Sequence, residues 1–71
     1  MRVHYQLAGT AHDFDTDAED LSAMCRNIED HLRLSHPELS DLRFLTERIA
    51  DGMLNALAGD AEEVELGDLL S

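Results

Sequence analysis

The sequence predicts an α+β fold in one small domain: an N-terminal β-hairpin, two antiparallel helices and a short C-terminal strand. Three observations predict it. Residues 2–7, Arg-Val-His-Tyr-Gln-Leu, alternate strictly and set Val3, Tyr5 and Leu7 on one face, the pattern of a half-buried strand. Two later stretches carry apolar residues at helical spacing behind capping-box signals. Glu63-Val64-Glu65-Leu66 then returns to alternation.

The elements follow in order. Ala8-Gly9-Thr10 can turn the chain, and Ala11–Asp15 fits a returning strand that adds Phe14 to the apolar face. Thr16-Asp17-Ala18-Glu19 reads as a capping box, in which a hydroxyl takes an orphan amide and a glutamate reaches back. Ala18, Leu21, Met24, Cys25, Ile28 and Leu32 follow at helical spacing. They form a stripe about 120° wide, as expected of a helix packed on one side, so a helix is predicted from about Asp17 to Arg33. Glu29 and Arg33 stand four apart on its wet face.

Ser35-His36-Pro37-Glu38 repeats the capping logic with proline in the first turn, which leaves only a Leu34–His36 turn between the helices. Leu42, Leu45, Ile49, Met53, Ala56 and Leu57 make the second stripe, closed by Gly59. Gly52, inside that run, costs up to about 1 kcal/mol against alanine, and close helix packing is the expected reason for it. Phe44 and Leu54 fall off the stripe and suggest a second contact. Residues 60–71 are read as a short strand or a partly ordered tail of the single domain 1–71.

Charge is the strongest compositional feature. Sixteen Asp and Glu against five basic residues give −11, and every basic residue is arginine. Leu, Ile, Val and Phe number 18 of 71 residues, about 25% and above the ~20% that marks disordered acidic chains. Asp13, Asp15, Asp17, Glu19 and Asp20 crowd residues 13–20, and Asp60, Glu62, Glu63, Glu65 and Asp68 crowd residues 60–68, with no base in either run. Such a surface repels nucleic acid and anionic membranes, whose binding needs Lys and Arg on phosphates, and it draws basic partners. No apolar run approaches the ~18 residues of a membrane span, and no signal-peptide core follows Met1. A cytoplasmic protein is expected.

Chemistry-bearing motifs are weak. Asp13-Phe14-Asp15-Thr16-Asp17 begins like a calcium loop, but Ala18 stands where glycine is needed and Met24 where a bidentate glutamate belongs. A looser cation site would use His12, Asp13 and Asp15. The four histidines (His4, His12, His31, His36) form no helical metal pair. They read as exposed or half-exposed groups among acids, which would raise their pKa values. Cys25 lies on an apolar stripe and reads as a small hydrophobe. No phosphate loop or nucleophile–base arrangement is present, so neither catalysis nor a cofactor or metal is expected. A strand followed by two helices is also the plan of ribbon-helix-helix DNA binders, with Arg2, His4 and Gln6 at the groove-reading places; a charge of −11 argues against it.

Two functions remain as expectations. The first is a non-enzymatic acidic binding module, an inhibitor or nucleic-acid mimic that occupies the basic groove of a nucleic-acid-binding protein. Its contact residues would be Asp13, Asp15, Asp17, Glu19, Asp20, Glu62, Glu63 and Glu65, with Phe44 and Leu54 as an apolar supplement. The second is a structural or adaptor subunit of a halophilic organism, with acids for hydration and function through Phe44 and Leu54. A homodimer fits both, with the strand at residues 2–7 offering an edge for pairing.

Overall fold

A computed structural model of the chain describes residues 1–17 and 20–70. Its elements are β1 (Arg2–Leu7), β2 (Thr10–Asp15), α1 (Leu21–Ser35), α2 (Leu42–Ala58) and β3 (Glu63–Asp68). The strands form one sheet in the order β2-β1-β3. β2 runs antiparallel to β1, and β3 runs parallel to it. A parallel return needs a long crossover, and α1 and α2 supply it. β1 is therefore the central strand, and the edge that residues 2–7 were expected to offer a second chain is already occupied on both sides. Among the described residues, β2 and β3 are the outer strands of the sheet.

The hairpin register pairs Val3 with Phe14, Tyr5 with His12 and Leu7 with Thr10. Its two-residue turn places Ala8 and Gly9 at φ 51° and 86°, the positive values a tight right-twisted hairpin requires. β3 departs from regular pairing: His4 faces Glu65 but Gln6 faces Asp68, so β3 spends three residues against two of β1. Gly67, at φ 67°, absorbs that bulge. The offset brings the Asp68 carboxylate to the hairpin turn, where it accepts from Gly9 N–H at 2.9 Å and Ala8 N–H at 3.3 Å, and from Leu70 N–H at 2.9 Å.

One face of the sheet is dry. Val3, Tyr5, Leu7, Met24, Ile28, Leu32, Leu45, Ile49, Ala50, Met53 and Leu69 form a single buried core between sheet and helices. Burying such side chains contributes roughly 1.5–3 kcal/mol each. Gly52 is explained here: Leu66 of β3 lies so close to its α-carbon that a β-carbon would collide with it. The intimate neighbour is a strand side chain and not the other helix. Leu69 seals the C-terminal end, with its N–H donating to Gln6 C=O at 2.9 Å and its own C=O accepting from Arg48 Nη1 at 3.2 Å.

Both helices start later than their sequence signals predict. α1 is capped by Asp20, whose side chain accepts from Ala23 N–H. Thr16 is buried instead, and its hydroxyl accepts from Asn27 Nδ2 at 3.0 Å. Its backbone is also engaged, since the Met1 ammonium donates to Thr16 C=O at 2.8 Å and Thr16 N–H donates to Met1 C=O at 3.0 Å. The capping box read at Thr16 depends on Ala18 and Glu19, which lie outside the described residues. α2 is capped by Asp41 through Phe44 N–H. The Ser35 box fails because His36 closes α1, its N–H donating to Leu32 C=O at 2.8 Å. The expected three-residue turn is thus a longer loop through residues 36–41. Among the described residues, no helix is long and apolar enough to cross a membrane.

Candidate functional site: the open face of the sheet

The helices cover one face of the sheet and leave the other to solvent. Strand alternation decides which residues meet water. Central β1 presents Arg2, His4 and Gln6. β2 sets Asp15 beside Arg2 and Asp13 beside His4. β3 sets Glu63 beside Arg2 and Glu65 beside His4 on the other flank. Four carboxylates therefore frame two basic side chains, although their sequence positions lie some fifty residues apart.

Spacing follows from sheet geometry. Alternate residues on one strand lie about 6.8 Å apart, and the flanking strands lie about 9.6 Å apart across β1. The carboxylates thus mark the corners of a rectangle with β1 as its midline. Arg2 donates to Asp15, and to Asp13 at 3.2 Å. The Asp15 hydrogen bond and then the Asp13 charge hold its guanidinium more firmly protonated than usual. His4 bridges the flanks, with Nδ1 3.9 Å from Asp13 and Nε2 3.7 Å from Glu63. Four carboxylates against one guanidinium leave the face net acidic even with Arg2 satisfied. A shallow, open depression of about 550 Å³ lies here, bordered by His4, Gln6, Asp13, Glu65 and Gly67 among others.

The face gathers some of the sequence-predicted contact residues and leaves others elsewhere. Asp13, Asp15, Glu63 and Glu65 share it. Asp17 lies exposed beyond the end of β2, Asp20 is spent as the α1 cap, and Glu62 precedes β3 and receives Arg2 N–H on its carbonyl at 3.0 Å. Glu19 falls outside the described residues. Phe44 and Leu54, 49% and 42% exposed, lie on the outer side of α2. Ten residues separate them, about 15 Å along the axis, with Glu47 and Asp51 exposed between. Arg48 also lies 5.8 Å over the Phe44 ring. They do not form one patch. The looser cation site is not assembled, because His12 points to the helices while Asp13 and Asp15 point away.

Behind the sheet lies a cluster that was not legible as a unit. Tyr5 Oη sits 2.6 Å from His31 Nε2 and 2.9 Å from His36 Nε2. The His12 ring stacks near Tyr5 and meets His36 edge-on at 4.4 Å, and Phe14 stacks on His31 at 4.2 Å. His36 is only 5% exposed. The expected upward pull of the acids is reversed at two of these groups. Burial, then the charges His36 and His12 would carry, lower His31; burial, then His12, lower His36. Burial, with Asp13 second, pushes the Tyr5 phenol up to about 12. The available sequence signal was positional: His12 alternates with Phe14 onto the inner face, and His31 lies three residues after Ile28 on the α1 stripe.

Compared with protein-family models, curated proteins and solved structures, the chain finds no match in any of the three. Fold and site together define a physical class: a small α+β protein whose sheet is apolar beneath the helices and acidic on its open side.

Proposed function

We propose that the chain is a non-enzymatic binding module whose open sheet face receives a basic segment of a partner protein. One observation carries this reading. The β2-β1-β3 topology brings carboxylates from both acidic runs of the sequence, Asp13 and Asp15 with Glu63 and Glu65, onto one solvent-facing surface. Sheet-borne side chains are fixed in relative position, so a ligand guanidinium or ammonium meets them without ordering a loop. A protein groove that holds nucleic-acid phosphates offers the complementary charge, and the finer form of the proposal is an inhibitor or nucleic-acid mimic in such a groove.

An adaptor role through Phe44 and Leu54 in a salt-adapted cell has less support, since charged residues interrupt the surface between them. The first reading is tested by calorimetry with an arginine- and lysine-rich octapeptide in about 50 mM and roughly 500 mM sodium chloride, between which screening lengths differ about threefold. Binding should be present at low salt and weaken steeply at high salt. It should also be lost in the variant Asp13→Asn, Asp15→Asn, Glu63→Gln, Glu65→Gln, but persist when Asp30, Glu47, Asp51 and Asp60 are neutralised instead. Equal binding by the two variants, or none by the unaltered chain, rejects the proposal.

A further inference from the structure

The Tyr5–His31–His36 contacts admit few proton arrangements. A phenol donates one hydrogen, and a neutral imidazole nitrogen either donates or accepts. With both Nε2 atoms on Tyr5 Oη, the phenol hydrogen finds an acceptor only if one of them is bare, and the second contact is a hydrogen bond only if the other is protonated. The surroundings of the outer nitrogens favour one assignment. His36 Nδ1 faces the Glu38 carboxylate at 3.9 Å, and a carboxylate is matched by N–H and not by a lone pair. His36 therefore carries its proton on Nδ1 and accepts the Tyr5 hydrogen at Nε2. His31 then donates from Nε2 to the phenol oxygen, leaving its Nδ1 to accept from Ser35 Oγ at 3.5 Å. A directional chain results: Glu38, His36, Tyr5, His31, Ser35.

A further proton has different consequences at the two imidazoles. At His31 it enters on Nδ1, where the Ser35 hydroxyl turns to accept it. At His36 it can enter only on Nε2, where the Tyr5 O–H already points. Donor then meets donor inside the core, Tyr5 loses its acceptor, and the new charge lies against the His12 ring at 4.4 Å. From this geometry we infer that Tyr5, His31 and His36 form a proton-operated clasp, which ties the C-terminal end of α1 to the hairpin and opens when His36 is protonated. The groups that face the clasp are Tyr5 from β1, His12 and the more distant Asp13 from β2, His31 and Ser35 from α1, and Glu38 from the following loop. Glu38 and Asp13 favour the charged imidazoles, while His12 and burial oppose them and prevail.

The direction of the pH effect follows. Imidazoles held neutral in the fold but free in the unfolded chain, near 6.5, stabilise the fold fully above that value. As pH falls below it, the unfolded chain takes protons the fold refuses. Each such histidine raises the unfolding constant by up to about tenfold per pH unit.

The test combines histidine ¹⁵N shifts, amide exchange and urea unfolding at about pH 7.5 and about pH 5.5. Near neutrality, His36 should show protonated Nδ1 and bare Nε2, and His31 the reverse. In acid, protection at amides 32–39 should fall more than in β1. His36→Gln keeps an acceptor for Tyr5 and cannot be protonated, so its unfolding constant should rise up to about tenfold less between the two pH values. The inference is overturned if the tautomers are reversed, if protection falls uniformly, or if His36→Gln keeps the full pH response. Should that variant not fold, the shifts and exchange of the unaltered chain decide alone.

Discussion

Gly52→Ala offers a sharp test of how β3 is held against the helices. Two effects oppose each other. Alanine in a helix interior is favoured over glycine by about 0.8–1.0 kcal/mol. Against that, the new β-carbon collides with Leu66, whose Cγ and Cδ1 stand 3.4 Å and 3.6 Å away while Cδ2 is closer still. Overpacking of this kind costs about 1–3 kcal/mol, softened here because the nearest atom is the end of a side chain. The net expectation is a loss of about 1 kcal/mol in urea-unfolding stability. On a Leu66→Ala background the obstruction is gone, and the same substitution should stabilise by roughly 0.5–1 kcal/mol. The sign should therefore reverse between backgrounds, a coupling that a double-mutant cycle reads directly. If Gly52→Ala stabilises the unaltered chain, or has equal effects on both backgrounds, Leu66 does not pack on Gly52 and the placement of Glu63 and Glu65 loses its support.

Three further outcomes are expected. Asp20→Ala should cost about 1 kcal/mol by removing the α1 cap, read by urea unfolding, and the far-UV helix signal should fall with it. Ala8→Asn should stabilise by about 0.5–1 kcal/mol in the same assay, since asparagine tolerates the left-handed backbone that alanine holds here at φ 51°. Asp68 is held below the usual carboxylate range, first by Leu70 N–H and then by Gly9 and Ala8. Its contribution is complete above the unfolded value near 3.9 and is lost as pH falls through the lower folded value. Thermal melts from about pH 5 to about pH 2.5 should accordingly show a flatter acid limb for Asp68→Asn than for the unaltered chain.

The fold was largely legible because its elements announce themselves locally. Alternation at Val3, Tyr5 and Leu7 marked β1, and the stripes through Met24, Ile28 and Leu32 and through Leu45, Ile49 and Met53 marked the helices. The start of α2 was misread because a strong local signal had other employment: Ser35 and His36 are absorbed into the end of α1. Local pattern also could not reveal that β3 joins parallel to β1, and this long-range pairing is what unites the two acidic runs. The histidines were misjudged for the same reason. Composition gave their average surroundings, acidic and wet, whereas the hairpin register and the α1 stripe turn three of them inward around Tyr5.

A cationic ligand should land on the open face of the sheet, and side-chain carboxyl ¹³C shifts during titration with an arginine-rich peptide at low salt measure that directly. The carboxyls of Asp13, Asp15, Glu63 and Glu65 should move first and furthest, with Asp30, Glu47 and Asp51 near their starting positions. Shifts spread evenly over all sixteen acids, or concentrated along the outer side of α2 near Phe44 and Leu54, would contradict it.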